Sequence, residues 1–548
     1  MSSTLSPDIE AVNSPTAVTP AFIARLLKVL VGLLLLIGIL SRISPLFDIQ
    51  GRLFWQHMTE DGYLMQTIAR NMAIGLGMTT AEGSIATNGV QPLATFLFAG
   101  LHYIAGGSKV GGIALVTLFS ALVAVATFYT SYLLGLKIFS GLRHGRVLAL
   151  IAAALWFVAP RITAHTMNGL ETGLYYLAIT ATWNYYLGIA ARDERGLTGA
   201  QRLVFGLLLG VTFLSRNDAV FFIAALLVAH WLVGTARSGG GYRHRFVDGV
   251  VCGLTSIVVA SPWLINNRIR FGSIVPISGA AQSFDARLGQ NMASMPANWF
   301  EAAFPHFPIP GSLEANVAVI VFGTLIAVVS VLGFWFFAAR LSLTARRFFV
   351  GGLLFTAGIS LYYGVFFGAP HFLSRYTSSI SPFLWLCAAV TVFGVLDRVF
   401  KTPRGFGLAA GALVAVLTLD GAFFAGLNYA RGTTHMHKQV VDWVQANVPP
   451  KQWVGAVQTG TLGFFHDRTL NLDGKVNPEA LKVLLREGHV LNYVLDTKVD
   501  YIVDWVGMAE WVRMTEHSPR FVAEFELVVK DPKNNLAVLR RLHPVGSP

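Results

Sequence analysis

Apolar stretches about as long as a bilayer is thick recur along the first four-fifths of this chain. A helix needs roughly 20 apolar residues to cross the ~30 Å hydrocarbon core, so this repetition predicts a polytopic membrane protein. The composition agrees, because 54% of the 548 residues are hydrophobic and only 13% are charged, against roughly 25% in ordinary soluble domains. The expected fold class is an all-α bundle of membrane-spanning helices, followed by a final fifth of soluble character.

Eleven spans are predicted, each to within a few residues. They run over residues 25–44, 112–136, 147–160, 172–190, 203–215, 218–234, 247–267, 315–339, 348–368, 376–397 and 405–427. The spans 147–160 and 203–215 are short for a bilayer, which indicates local thinning or irregular backbone beside a cavity. A further apolar piece, Pro92 to Ala105, is interpreted as a membrane-embedded or interfacial helix.

The basic residues determine the expected orientation. The formal net charge is +12, but Lys and Arg gather in short loops between apolar stretches, which is the positive-inside pattern and argues against a nucleic-acid partner. These loops are expected in the cytoplasm with a disordered N-terminal tail, residues 1–22. The membrane domain then covers 23–428, with a first outer loop at about 45–111. An odd number of crossings places residues 429–548 outside as a small periplasmic domain.

The final fifth has the pattern of a small α/β domain. An amphipathic stretch from Lys438 to Val448 predicts a helix. Runs rich in β-branched and aromatic residues predict strands at Trp453–Val457, Tyr501–Trp505 and Phe521–Val529.

Unusual polar residues collect on the predicted outer side. Ionisable groups at helix ends beside a membrane are costly unless they are paired or line a wet cavity, so each is a candidate for a functional site. Structural explanations compete: an ion pair within the loop for Arg216 and Asp218, or a helix-start carboxylate for Glu171. A solvated loop pair is the competing explanation for Glu60 and Asp61.

No metal motif is evident in the sequence. Two cysteines, Cys252 and Cys387, lie inside apolar stretches and are interpreted as packing residues. Four histidines could assemble a metal site, but no two have ligand spacing, so single polar contacts are favoured. These histidines are His57, His165, His306 and His371.

Short motifs in order along the chain carry a resemblance to a known family. They are Glu60-Asp61-Gly62-Tyr63, Arg70-Asn71, Asn88-Gly89-Val90-Gln91-Pro92-Leu93, Asn168-Gly169-Leu170-Glu171-Thr172, Ser215-Arg216-Asn217-Asp218, Arg375-Tyr376 and Asn471-Leu472-Asp473-Gly474-Lys475-Val476-Asn477. Their order and sidedness together resemble the GT-C glycosyltransferase superfamily. Its members include protein O-mannosyltransferases, the lipid A aminoarabinose transferase and mycobacterial arabinofuranosyltransferases.

The resemblance implies transfer of a sugar from a polyprenyl-phosphate donor to a hydroxyl of a glycan, lipid or protein acceptor, at the outer face of the bacterial inner membrane. It maps the family's first-loop carboxylate, the base for the acceptor hydroxyl, onto Asp61, with Glu60 beside it. Guanidinium groups suit the leaving phosphate, and the expected ligands are Arg375, Arg216, Arg70 and Arg268. The expected substrate contacts are Tyr63, Asn168, Glu171, Asp218, His371 and Tyr376. Some relatives use a divalent metal and others do not, so the cofactor stays open.

A lipid-linked sugar transporter, or flippase, is the alternative function, because polar groups between membrane helices also mark transport paths. The sequence shows no convincing repeated half and no matched pair of Gly- or Pro-broken spans, the features that indicate a transporter. A non-enzymatic scaffold accounts poorly for carboxylates and arginines gathered on one side. A membrane glycosyltransferase is therefore the favoured interpretation.

Overall fold

The computed structural model describes residues 20–192, 196–234, 241–284 and 286–543. The tail expected to be disordered lies outside these ranges, apart from its last three residues. The helices of the membrane region are α1 (Pro20–Ile43), α2 (Glu60–Ala73), α3 (Pro92–Ile104), α4 (Lys109–Ile138), α5 (Gly145–Val158), α6 (Pro160–Met167), α7 (Thr172–Arg192), α8 (Gly199–Ser215), α9 (Ala219–Leu232), α10 (Gly241–Phe271), α11 (Ile277–Gln282), α12 (Met295–Ala303), α13 (Val317–Phe334), α14 (Leu343–Leu361), α15 (Leu373–Thr377), α16 (Ser381–Val399) and α17 (Pro403–Arg431). A short hairpin, β1 (Thr79–Thr80) and β2 (Ile85–Ala86), lies between α2 and α3.

Within the described ranges, seven helices are long and apolar enough to cross a membrane, or eight if the bent pair α5 and α6 forms one span. The seven are Arg25–Phe47, Lys109–Gly141, Gly241–Phe271, Val317–Ala339, Leu343–Phe366, Pro370–Val399 and Pro403–Arg431. Three more helices, α3, α8 and α9, are apolar but shorter. The multi-pass membrane architecture is confirmed, and the count of eleven crossings stays a prediction.

The predicted short span at 147–160 is broken. α5 and α6 meet at an angle of 61°. Ala159, between them, has φ −56° and ψ 134°, because the ring of a following proline disfavours helical backbone in the residue before it. Pro160 then begins α6 in the first turn, where its missing N–H is not needed.

The other predicted short span, 203–215, is a regular helix that begins earlier, at Gly199. Thr198 and Gln201 form a capping box there: each side chain accepts a hydrogen bond from the backbone N–H of the other residue.

Two helices form the centre of the bundle. Every residue of α5 from Ile151 onward is buried, and so are the first ten residues of α16, as expected for helices that are apolar on all sides. Their indole groups still find partners. Trp156 Nε1 donates to Ser381 Oγ at 3.0 Å, and Trp385 Nε1 donates to the carbonyl oxygen of Ala152 at 2.9 Å.

The C-terminal part is a small α/β domain, as predicted. Its elements are α18 (Lys438–Asn447), β3 (Trp453–Ala456), α19 (Gly460–Phe465), β4 (Thr469–Asn471), α20 (Pro478–Glu487), α21 (Leu491–Leu495), β5 (Val499–Asp504), α22 (Pro519–Glu524), β6 (Phe525–Asp531) and β7 (Leu536–Arg541). The sheet order is β4-β3-β5-β7-β6. β3 runs parallel to both of its neighbours, and β7 runs antiparallel to both of its own.

One strand prediction was partly wrong. The run Phe521–Val529 begins as helix α22, and the strand β6 starts only at Phe525. The cause is local: the Ser518 side chain accepts a hydrogen bond from the Phe521 N–H, and Pro519 occupies the first turn, so this segment starts as a capped helix.

Candidate active site

α2 carries two adjacent carboxylates at the end of the bundle where the C-terminal domain lies. Thr59 caps the helix by accepting a hydrogen bond from the Gly62 N–H at 3.2 Å. Glu60 and Asp61 occupy the first turn, where the helix dipole favours negative charge. Position 62 requires glycine, because a Cβ there would lie 2.0 Å from the carbonyl oxygen of Asn168. The loop after α6 therefore packs directly against the first turn of α2.

Asp61 lines a cavity of about 70 Å³, the active cavity. Its Oδ2 lies 3.0 Å from Nη2 of Arg375. Burial by itself would raise the pKa of Asp61, but the positive charges of Arg375 and Lys475 outweigh burial and hold that pKa below its usual range. Asp61 is therefore a charged carboxylate facing two cations. Other polar residues of the lining are Gln91, Glu171, Ser278, Gln282 and Tyr376.

Glu60 points to the C-terminal domain instead. Its carboxylate accepts hydrogen bonds from the backbone N–H groups of Gly460 and Thr461 and, at 2.5 Å, from the Thr461 hydroxyl. These N–H groups begin α19, so Glu60 caps a helix 400 residues away in sequence. Burial raises the pKa of Glu60 above its usual value. Glu60 therefore holds the C-terminal domain against α2. It was predicted to act beside Asp61, but in the described structure it does not line the active cavity.

Two more predicted site residues, like Glu60, contact the C-terminal domain. Arg70, expected to bind phosphate, lies 3.4 Å from Asp467 Oδ1, which also contacts Lys109 at 3.0 Å. Tyr63, expected to contact substrate, is fully buried, with its hydroxyl donating to the carbonyl oxygen of Phe54. Its ring packs 5.1 Å from that of Phe464 of α19. Both residues attach the C-terminal domain to α2.

Lys475 enters the active cavity from the C-terminal domain. It follows Gly474, whose φ of +79° favours glycine, in the turn after β4. Its Nζ lies 3.2 Å from Asp473 and 5.1 Å from the ring centre of Phe372. Burial alone would lower the pKa of Lys475, but Asp473 and Asp61 raise it, so the side chain stays charged. Lys475 belongs to one of the motifs that carry the family resemblance, but no role in the site was predicted for it.

Arg216 forms a sealed cluster beside the cavity. Its Nη2 lies 2.5 Å from Asp218 Oδ2, which accepts a second hydrogen bond from the Tyr363 hydroxyl at 2.7 Å. Glu171 Oε1 lies 3.9 Å from Arg216 Nε. Only 1% of Arg216 is exposed. The competing explanation for Arg216 and Asp218, an ion pair within the loop, describes what the structure shows.

Tyr376 separates the two arginines. The guanidinium carbons of Arg216 and Arg375 each lie 4.9 Å from its ring centre. The ring stacks on Tyr363 with a centroid distance of 5.0 Å, and the Tyr376 hydroxyl donates to Gln282 Oε1 at 3.0 Å. Tyr376 thus forms a wall of the active cavity and links it to the sealed cluster.

A polar network that the sequence analysis missed holds the helix of Arg375 in place. Glu301 accepts two hydrogen bonds from Arg161 and one from the Ser374 hydroxyl, the last at 2.7 Å. Ser374 precedes Arg375 in α15, so this network fixes the direction of the arginine. The Arg375 Nε makes no hydrogen bond within the described ranges. No recognised motif surrounds Glu301, so the sequence offered no signal for it.

Three further candidates lie outside the active cavity. Arg268 is exposed at the end of α10 and donates to the carbonyl oxygen of Gly272. Asn168 accepts a hydrogen bond from the Leu170 N–H and shapes its own loop. His371 lines a larger cavity of about 520 Å³ between the membrane region and the C-terminal domain. That cavity shares Gln282 and Lys475 with the active cavity, so the two are neighbours.

The described part of the chain contains no group of three or more His, Cys, Asp or Glu side chains that could hold a metal ion. The Asp61 carboxylate is paired with Arg375 at 3.0 Å, and the charge of Lys475 also lowers its pKa.

Comparisons with known proteins agree with this architecture. ArnT from Cupriavidus metallidurans, in the apo state, is 13% identical with a TM-score of 0.57, covering 96% of this chain and 99% of that one. ArnT bound to undecaprenyl phosphate is 12% identical, with a TM-score of 0.55, covering 95% and 99%. The oligosaccharyltransferase AglB from Archaeoglobus fulgidus, in complex with an inhibitory peptide and a dolichol-phosphate, is 13% identical with a TM-score of 0.53, covering 96% and 75%.

Sequence comparisons add one match. Residues 427–537 match a family described as "Domain of unknown function (DUF8728)". The curated proteins gave no match. ArnT and AglB are GT-C glycosyltransferases, so the resemblance carried by the motifs is confirmed at the level of the fold, and this chain has the GT-C fold.

Proposed function

We propose that the protein is a membrane glycosyltransferase, which moves a sugar from a polyprenyl-phosphate donor to a hydroxyl of a cell-envelope acceptor. The observation that carries this proposal is the pair of Asp61 and Arg375, 3.0 Å apart in one cavity. It joins a proton acceptor to a phosphate-binding group, which are the two groups that this transfer requires. The similarity to structures with undecaprenyl phosphate and dolichol-phosphate supports the donor class.

In the proposed reaction, Asp61 takes the proton of the acceptor hydroxyl while that oxygen bonds to the anomeric carbon of the sugar. The bond from this carbon to the donor phosphate oxygen breaks, and polyprenyl phosphate leaves with the electron pair. The planar guanidinium of Arg375 offers paired N–H donors to the phosphate. Lys475 adds a second positive charge in the same cavity, where fixed charges stabilise the leaving group.

Substituting the proposed base tests the reaction. Asp61→Asn keeps the shape of the side chain but removes the proton acceptor, so turnover should fall roughly 10²-fold or more. Purified protein would be assayed with a panel of polyprenyl-phosphate sugars and envelope acceptors. Asp442→Asn, an exposed carboxylate of α18, is the matched control and should keep wild-type turnover.

Two results oppose the proposal. Wild-type turnover in a folded Asp61→Asn variant removes this carboxylate from the reaction. Movement of intact lipid-linked sugar across proteoliposomes by the wild type, without cleavage of the donor, establishes the transporter alternative instead.

We also propose an orientation in the bacterial inner membrane. Residues 1–22 and the basic loops face the cytoplasm, 23–428 form the catalytic membrane domain, and 429–548 form a periplasmic domain. The positive-inside pattern of the loops supports this arrangement. Single cysteines at the exposed positions Ser140 and Lys482 test it in spheroplasts, because both native cysteines are buried. Only the cysteine at 482 should react with an impermeant thiol reagent; labelling at 140 alone reverses the orientation.

A further inference from the structure

A cavity of about 340 Å³, the lateral groove, opens between the ends of α1 and α17 and the break between α5 and α6. It lies at the end of the bundle that carries the C-terminal domain, because both helices run toward that end. Among the described residues, it shares none of its lining with the active cavity. The reaction proposed above leaves this groove without a role.

The groove changes from apolar to polar in the same direction along both helices. On α1 its lining runs from Ile37 to Ser41, and on α17 it runs from Phe424 through Asn428 to Arg431. With a rise of 1.5 Å per residue, the last three span about 10 Å along the helix axis. Both helices are candidate membrane spans whose apolar windows are only 28% and 33% buried within the protein. The apolar part of the groove therefore belongs at the depth of lipid chains, and its polar part at the depth of headgroups.

The polar end of the groove is positively charged. Arg431 and Arg161 line it, and the described lining includes no Asp or Glu. Arg161 is already paired with Glu301, which lies outside the lining, so Arg431 supplies the uncompensated positive charge. Arg431 is exposed, and its guanidinium makes no ion pair within the described ranges. Gln56 and Asn428 add amide groups that can donate hydrogen bonds. This arrangement matches a ligand with an anionic head and an apolar tail.

We propose that the lateral groove binds an anionic phospholipid of the adjacent bilayer leaflet. The headgroup phosphate lies at Arg431 and the Asn428 amide, and an acyl chain follows the apolar wall of Ile37, Val158 and Phe424. Arg431 supplies the charge selectivity, and the small residues Gly421 and Ala425 leave room for the chain. The inference depends on the membrane architecture and is independent of the proposed transfer reaction.

Binding of two lipids to the purified full-length protein in detergent tests this inference. Dioleoylphosphatidylglycerol should bind more tightly than dioleoylphosphatidylcholine, as measured by native mass spectrometry and by the shift in thermal unfolding. Arg431→Gln should weaken phosphatidylglycerol binding about fivefold or more. Arg270→Gln is the matched control, because Arg270 is an exposed arginine in the last turn of α10, outside the groove.

A second variant tests the apolar wall without changing any charge. Ala425→Leu narrows the groove and should weaken binding of the acyl chain, whereas inorganic phosphate should not protect the wild type at all. Equal binding of the two lipids, or an Arg431→Gln variant that retains wild-type selectivity, overturns the proposal. Protection by inorganic phosphate alone would leave only an anion site. Displacement of phosphatidylglycerol by lower concentrations of undecaprenyl phosphate would assign the groove to the donor lipid instead.

Discussion

Arg216 and Arg375 lie on either side of Tyr376, but their surroundings differ. Arg216 is 1% exposed and contacts Asp218, so its charge is satisfied within the chain. Arg375 has one carboxylate partner, Asp61, lines a cavity, and keeps an Nε that makes no hydrogen bond in the described structure. The comparison separates two uses of charge beside a membrane. The buried pair of Arg216 and Asp218 holds the helices together. The pair of Arg375 and Asp61 lines a cavity, so its charged groups can still bind a ligand.

The largest effect is expected from removing the cation of the sealed cluster. Arg216→Met leaves Asp218 and Glu171 buried without their cation, and breaking a buried ion pair costs about 3–5 kcal/mol. We expect a large fall in the thermal unfolding midpoint in detergent and a low yield of monodisperse protein. A variant that folds with the wild-type midpoint would show that the cluster contributes little to stability.

Arg375→Lys should act on the donor and spare the fold. Lysine keeps the charge but loses the planar pair of donors, and a lost hydrogen bond to a charged group is worth about 1.5–3 kcal/mol. Binding of undecaprenyl phosphate should therefore weaken about 10- to 100-fold, with a near-wild-type unfolding midpoint. If stability falls and lipid affinity does not, Arg375 belongs with Arg216 as a structural residue.

Lys475→Gln should change the pH dependence of turnover. The Lys475 charge helps to hold the pKa of Asp61 below its usual range, so removing that charge raises this pKa. The proposed base works only when deprotonated, so the acidic limb of the pH–rate profile should move to higher pH. Lys482→Gln, an exposed lysine of α20, is the control and should leave the profile unchanged. An unchanged acidic limb in Lys475→Gln would show that the Lys475 charge does not affect the pKa of the proposed base.

Glu60→Gln should have the smallest effect. An amide keeps one acceptor but loses a hydrogen bond to α19, worth about 1 kcal/mol. Because burial raises the folded-state pKa of Glu60, its carboxyl contributes stability at low pH that is lost as pH rises through that pKa. Hydrogen exchange of residues 460–465, corrected for intrinsic rates, should thus increase with pH in the wild type and less so in Glu60→Gln.

Asp504 sets the residual pH dependence in that experiment. Burial raises its pKa to about 6, and its carboxylate accepts hydrogen bonds from the N–H groups of Val457 and Gln458. This contribution persists in Glu60→Gln. Equal exchange in wild type and variant at every pH would show that Glu60 does not hold the domain.

The bundle and the meeting of Asp61 and Arg375 at one end of it could be predicted because both depend on local patterns. Asp61 and Arg375 are far apart in sequence, yet apolar lengths and basic loops placed them on the same side. The helix α22 was also within reach, since Ser518 followed by Pro519 is a helix-start signal that the strand-like run obscured.

The sequence could not predict that Glu60 contacts the C-terminal domain and Asp61 lines the cavity. Adjacent helical residues point about 100° apart, and which of them meets the cavity depends on packing against residues 400 positions away. Lys475 was missed for the same reason, because its place follows from how the C-terminal domain docks on α2. Contacts between residues so far apart in sequence do not change the local hydrophobic periodicity, so that pattern could not predict them.

The link between Glu60 and the start of α19 has a consequence for biosynthesis. The chain emerges from its N-terminus, so Asp61 and Arg375 are made and inserted well before Lys475. Until residues 460–475 are translated and folded against α2, the Glu60 carboxylate lacks the N–H groups of Gly460 and Thr461, and the active cavity lacks one of its cations. A nascent or truncated chain in the bilayer thus has an incomplete site. The cavity is complete only after the C-terminal domain has been made and has folded against α2.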